Sequence, residues 1–276
     1  MSYLSAIVLG LIQGIAEFLP ISSSGHLAFF QNFFGLTNPE EDNLFFDVLL
    51  HLGTLVAVFI AYRKEIGKLL HELSCMFFTS RDRSERPDMP ARRMILLLIV
   101  ATLPLLVVLP VKSKVESLYY NTFFIGFAFI LTGILLAVSD RFRNGSKTEK
   151  NATVLDALLV GVAQAFAVVP GLSRSGTTIS AGLLRGFDRQ FAVRFSFLLS
   201  IPAVIGANLL SLIDAVSTGI DWSLLPMYLL GMLVAGISGY AAIRLLKYIA
   251  EKGRFGGFAW YCWGAGIVTL VLSLMA

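Results

Sequence analysis

The sequence predicts an all-α polytopic membrane protein, an inverted-topology repeat of two halves, each a re-entrant helix pair plus three transmembrane helices. Three features point there. Hydrophobic residues make up 56% of the chain and charged residues 14%, where a soluble domain carries roughly a quarter charged residues. Six apolar runs come close to the about 20 residues that a helix needs to span hydrocarbon. Two further apolar runs, one in each half, break at a proline followed by a Ser/Gly-rich loop.

The first broken run covers 4–34: it starts apolar, breaks at Pro20 and SSSGH, and resumes briefly. No Lys or Arg precedes Arg63, so the start lacks the basic region of a cleavable signal peptide. Three spans follow at 44–62, 94–111 and 122–139. The second broken run, 154–189, leads into spans at 191–213, 225–245 and 258–276. All six should be helices, since a lone backbone segment in hydrocarbon must satisfy its own hydrogen bonds. The polar, proline-containing stretch 79–93 reads as a loop.

Loop charges orient these spans. Eight Lys or Arg fall in 63–93, four in 141–150 and four in 244–254, which places those loops in the cytoplasm. The loops 38–43 and 211–226 hold no Lys or Arg and belong outside, and the weakly basic loop with Lys112 and Lys114 joins them by alternation. The run 4–34 then begins and ends outside, whereas 154–189 begins and ends inside, so each enters and leaves by one face. Irregular backbone at membrane depth is tolerated only beside protein or a wet cavity. Both breaks should therefore face an internal polar site.

The halves, 1–150 and 151–276, resemble each other. Pro20 with SSSGH lies about 150 residues before Pro170 with GLSRSGT, and FDVLLHLG from Phe46 parallels FSFLLSIP from Phe195 at nearly the same offset. Three spans per half is an odd number, so the second half inserts upside down. Such repeats with broken helices are also a transporter architecture.

The first break reads QGIAEFLPISSSGH from Gln13 to His26. Gln13 and Glu17 lie four apart and share a helix face. Pro20 stops that helix, and Ser22, Ser23, Ser24 and Gly25 suit a new helix start with free N–H groups. Serines there also serve simply as caps. A carboxylate at membrane depth costs about 2.5 kcal/mol or more unless paired, which makes Glu17 a candidate for binding a metal or moving a proton. His26 beside it is a candidate acid or base. The second break, PGLSRSGTTIS from Pro170 to Ser180, offers the hydroxyls of Ser173, Ser175, Thr177 and Thr178, and the planar fork of Arg174. That fork matches phosphate oxygens, and a bound phosphate is the simplest partner for it; a structural ion pair with Glu17 is the alternative. Asp47 and His51 share a face within a span; they support the site from behind or line a vestibule, with a hydrogen bond between the two as the plainer alternative.

Other classes recede. No P-loop is present, no basic face interleaved with aromatics points to nucleic acid, and Cys75 and Cys262 form neither a disulfide framework nor a metal-ligand spacing. A phosphatase for an anionic lipid and a transporter or flippase for such a lipid both fit, the second needing no nucleophile.

QGIAEFLPISSSGH and PGLSRSGTT resemble the paired motifs of the bacterial undecaprenyl-diphosphate phosphatase (bacitracin resistance protein) family, and the likeness extends over the whole chain in length, motif order and span spacing. It implies a multi-pass enzyme of the bacterial inner membrane that hydrolyses a polyprenyl diphosphate lipid to the monophosphate, recycling the cell-wall lipid carrier with a divalent cation such as Mg2+ or Ca2+. By motif position, Glu17 is the family's acid and metal ligand, Ser23 its nucleophile or phosphate ligand, His26 its acid or base and Arg174 its phosphate-binding arginine. Gln13, Ser22, Ser24, Ser173, Ser175 and Thr178 would line the substrate. Gln13 stands where some members carry glutamate, which removes one metal-binding charge. Membrane lipid is the surrounding partner, and a homodimer is compatible with all of this.

Overall fold

A computed structural model describes residues 1–34, 44–77, 88–142, 144–252 and 255–275. Its helices are α1 (Tyr3–Phe18), α2 (Ser23–Phe34), α3 (Leu44–Ala61), α4 (Arg63–Phe77), α5 (Met89–Thr102), α6 (Lys112–Ser117), α7 (Thr122–Ser139), α8 (Val154–Phe166), α9 (Arg174–Leu184), α10 (Arg189–Thr218), α11 (Leu225–Lys252) and α12 (Gly256–Met275). Helix starts carry their expected chemistry. Thr153 and Asp156 form a capping box on α8, Ser173 caps α9 and Asp188 caps α10.

Six segments are long and apolar enough to cross a membrane: Leu44–Ala61, Met89–Val115, Thr122–Ser139, Arg189–Ser217, Trp222–Lys252 and Gly256–Met275. They match the six expected spans, and they keep large apolar side chains such as Leu209, Ile213, Ile237 and Val268 on the outside, as a lipid solvent requires. The fold is thus that of a polytopic, all-helical membrane protein.

Three local expectations are corrected. The basic stretch after Tyr62 is not simply a loop: Arg63–Phe77 is helix α4, which turns Ile66 and Leu69 inward and buries Glu72 against Arg92 at 2.6 Å. The second span is not one α-helix. After Thr102 the chain tightens into a 3-10 helix over Leu103–Val111, where Pro104 and Pro110 lack the N–H that an α-helical interior needs. The segment with Lys112 and Lys114 is the short helix α6. The loop at 38–43 and most of 79–93 lie outside the described residues.

The two short helix pairs pack into the bundle by one face, while Leu4, Leu11 and Ile15 of α1 and Leu155, Leu159 and Phe166 of α8 stay exposed on the other. α1 packs against α11, α3 and α2, while α8 packs against α5, α9 and the 3-10 segment. Close approach of α1 to α11 depends on glycine. A Cβ on Gly14 would lie 2.5 Å from Ala235 O and 2.8 Å from Gly239 N, backbone atoms that cannot move aside without parting the helices. Gly14→Ala is therefore expected to cost about 1–3 kcal/mol through overpacking, read as a lower unfolding midpoint in detergent; an unchanged midpoint would show that α1 and α11 are not in this contact. At the other pair, fully buried Asp156 ties Lys147 (2.7 Å) to Arg185 (2.8 Å) and so joins the segment before α8 to the end of α9.

Candidate active site

The two helix breaks meet. Ser175 Oγ on α9 donates to Leu19 O at 3.2 Å, and Gly171 N–H in the second break donates to Ser24 Oγ at 3.4 Å in the first. Cys262 Sγ of α12 donates to Pro20 O at 3.5 Å, supplying a carbonyl that a broken helix would otherwise leave without a partner. Ser22 takes a left-handed backbone with φ 71°. That turn lets its Oγ accept from Gly25 N–H at 3.2 Å and start α2 with Ser23 beside Glu17.

Glu17 is the hub. Its side chain is 4% exposed and its Oε1 pairs with Arg174 Nη2. Its Oε2 accepts from Ser23 Oγ at 2.6 Å and from Gln13 Nε2 at 3.2 Å, and lies 3.9 Å from His51 Nδ1. The ion pair given as the alternative partner of Arg174 is therefore present. It does not exhaust the arginine, which has five N–H donors in a fixed fork and a side chain still 24% exposed. An anion beside Glu17 would find the rest of the fork available.

The remaining candidates divide. His26 Nδ1–H donates to Ser22 O at 2.7 Å, its Nε2 bonds the Tyr261 hydroxyl at 2.8 Å, and its ring lies against Tyr261 and Phe129. Neither ring nitrogen bonds Glu17 or Ser23. Ser173 is a cap, accepting from Gly176 N–H at 3.1 Å while its own N–H donates to Thr132 Oγ1. Thr178 Oγ1 donates to Arg174 O at 2.9 Å and shares a 2.6 Å bond with Ser196. Ser173, Ser175 and Thr178 thus spend their hydroxyls holding the second break in place. Ser22 and Ser24, 3.3 Å apart, do the same for the first.

His51 stands behind Gln13 and Glu17. Its Nδ1 meets Gln13 Nε2 at 2.9 Å, so the alternative of a mutual bond with Asp47 does not form, and Asp47 Oδ1 is buried with no partner among the described residues. The shared helix face of Asp47 and His51 drew attention to both residues but did not point to Gln13 as the partner of His51. Tyr261 and Thr132 carried no signal at all.

Among the described residues no three His, Cys, Asp or Glu side chains converge. The donors beside Glu17 nonetheless fit a hard cation. Gln13 Oε1 is a buried oxygen with no partner, and a cation of the Mg2+ type is commonly held by one or two carboxylates together with substrate phosphate oxygens.

Residues 6–268 match the family described as bacitracin resistance protein BacA. The chain is 41% identical over 279 residues to an undecaprenyl-diphosphatase of Carboxydothermus hydrogenoformans, covering 99% of this chain and 98% of that one. It is 39% identical to the undecaprenyl-diphosphatase of Halothermothrix orenii, with 99% of each chain covered, and 40% identical to that of Methanobrevibacter smithii, again with 99% of each covered.

Proposed function

We propose a mechanism from one premise: the chain belongs to the bacitracin resistance protein BacA family. It is an integral membrane phosphatase that hydrolyses undecaprenyl diphosphate to undecaprenyl phosphate and inorganic phosphate, the activity for which its relatives are named. Recycling of the cell-wall lipid carrier and bacitracin resistance follow from that activity.

One arrangement carries the chemistry: a serine hydroxyl 2.6 Å from a buried carboxylate that also holds an arginine. In our reading Arg174 shares its fork between Glu17 and the terminal phosphate, countering charge on the phosphoryl oxygens. Ser23 Oγ attacks the terminal phosphorus as its proton passes to Glu17, and the bond to the bridging oxygen breaks, releasing undecaprenyl phosphate. Glu17 hands that proton to the departing phosphate oxygen and is a carboxylate again; water then attacks the phosphoserine, giving a proton to Glu17, which returns it to Ser23 Oγ as inorganic phosphate leaves. His26 holds the start of α2 through Ser22 and thereby aims Ser23. Glu17 and Gln13 Oε1 would hold Mg2+ or Ca2+, which when bound neutralises charge on the phosphate oxygens.

The halves form an inverted repeat whose helix pairs α1–α2 and α8–α9 are re-entrant, with the basic loops in the cytoplasm and the protein in the cytoplasmic membrane. Reciprocal packing supports this. Gly10 on α1 approaches Gly231 O on α11, in the second half, and Gly161 on α8 approaches Ala101 O on α5, in the first. The lipid tail stays in the bilayer while the head group enters where the breaks meet.

The test is inorganic phosphate release from undecaprenyl diphosphate by purified protein in detergent, which a transporter would leave intact. Ser23→Ala should lower turnover by well above about a hundredfold, more than a lost hydrogen bond would cost, and rapid quenching of the native enzyme should trap a phosphoserine. A drop of about tenfold or less with no phosphorylated enzyme would assign the attack to water.

A further inference from the structure

We propose that His51 is a positioning residue that locks the amide of Gln13, and through it sets Oε2 of Glu17 as the acceptor facing Ser23. The inference deepens the phosphatase reading and rests on it. Glu17 Oε2 is 3.2 Å from Gln13 Nε2. An ionised carboxylate only accepts, so the Gln13 amide must turn its NH2 group toward Glu17, because the flipped amide would oppose two oxygens. The second hydrogen of that NH2 group points to His51 Nδ1 at 2.9 Å. Nδ1 therefore offers a lone pair and the ring hydrogen sits on Nε2, the tautomer being set by its neighbour.

The amide is held from both sides. Each N–H has a fixed acceptor, one on α1 and one on α3, and Oε1 is left unpartnered in the interior. Thr54 Oγ1 donates to His51 O at 2.8 Å, which steadies that turn of α3. If the acceptor at position 51 is removed, one N–H of Gln13 is stranded in a buried site and the amide gains a reason to rotate toward another acceptor. Glu17 Oε2 then loses one of the two donors that fix it, the other being the Ser23 hydroxyl that reacts. Arg174 meets the opposite oxygen, Oε1, so its grip on the substrate is not directly touched. The loss should fall on kcat more than on KM, since misplacement of a reacting group by about 1 Å can cost about a hundredfold in rate.

The experiment measures kcat and KM for phosphate release from undecaprenyl diphosphate in detergent, with unfolding midpoints, for His51→Leu, His51→Asn, Gln13→Ala and the Gln13→Ala, His51→Leu double variant. His51→Leu should lower kcat about ten- to a hundredfold with KM within about threefold. His51→Asn, whose side-chain oxygen can accept where Nδ1 did, should stay within about threefold of the native kcat. The double variant should be no worse than the more damaged single one, because both changes break one link. A native kcat in His51→Leu, an asparagine variant as slow as the leucine one, losses that multiply, or an effect confined to KM would each overturn the proposal. If His51→Leu does not fold, His51→Ala takes its place in the same comparison. Absence of phosphate release by the native protein would instead overturn the phosphatase reading itself.

Discussion

Glu17→Gln is expected to abolish hydrolysis, lowering kcat/KM by about a thousandfold or more, within the range for loss of a general acid or base. The substitution keeps the shape and an oxygen that can accept from Ser23, but an amide cannot take the serine proton. It also turns an NH2 group toward either Arg174 or Gln13, both of which are donors at this point. No nearby group replaces it. Gln13 is neutral, and Asp47 has no bond to any member of the site among the described residues. Phosphate release and its dependence on added Mg2+ or Ca2+ are the readouts. Retained activity with unchanged cation dependence would place the base elsewhere, with Asp47 the next residue to test.

Arg174→Lys should lose about a hundredfold in turnover although the charge is kept. An ammonium can still pair with Glu17, but it is a point charge, and it cannot hold a carboxylate on one edge and phosphate oxygens on another as the guanidinium fork does. Arg174→Ala should be at least as damaged for a second reason. It leaves a carboxylate that is 4% exposed without its cation, a change that costs about 3–5 kcal/mol where an ion pair is buried, so the unfolding midpoint should fall along with the activity. Near-normal phosphate release by the lysine variant would place Arg174 outside the phosphate site.

Much of the fold is legible in the sequence because lipid imposes a length and a composition on each crossing helix. Thr122–Ser139 coincides with the expected span, and the other spans agree over most of their apolar length. Errors fall where other forces act. The helix α11 continues to Lys252, past the last apolar turn, because nothing stops a helix once it leaves hydrocarbon. The helix α4 was hidden by its charge, since its inward stripe of Ile66 and Leu69 includes Glu72, which pairs with Arg92 twenty residues away and accepts from Asp88 N–H. Leu103–Val111 looked like uninterrupted helix because its prolines are themselves apolar.

In the site, the cost of burying charge made Glu17 and Arg174 visible, and the same cost led to their pairing across 157 residues of chain. Hydroxyls were harder to sort. Ser23 and Ser175 look alike in their motifs, yet one reaches Glu17 and the other a backbone carbonyl. That distinction depends on which way a helix starts after its break, and the left-handed Ser22 that sets it has no marker in a run of three serines. His51 was visible as a buried ionisable residue, but its contact was not. Its neighbour four residues earlier offered a ready partner, while its actual partner lies on another helix.

The joining of the two breaks also bears on how the protein is made. During synthesis the first half reaches the membrane with Glu17 already in place, long before Arg174 has left the ribosome. For that interval the carboxylate lacks Arg174, and neither Leu19 O nor Ser24 Oγ has met its donor from the second half. Until then Glu17 must stay hydrated or protonated, and only arrival of the second half completes its set of partners. Competence for phosphoryl transfer and completion of membrane assembly are then one event, so a chain truncated before Arg174 is inserted without ever carrying a working site.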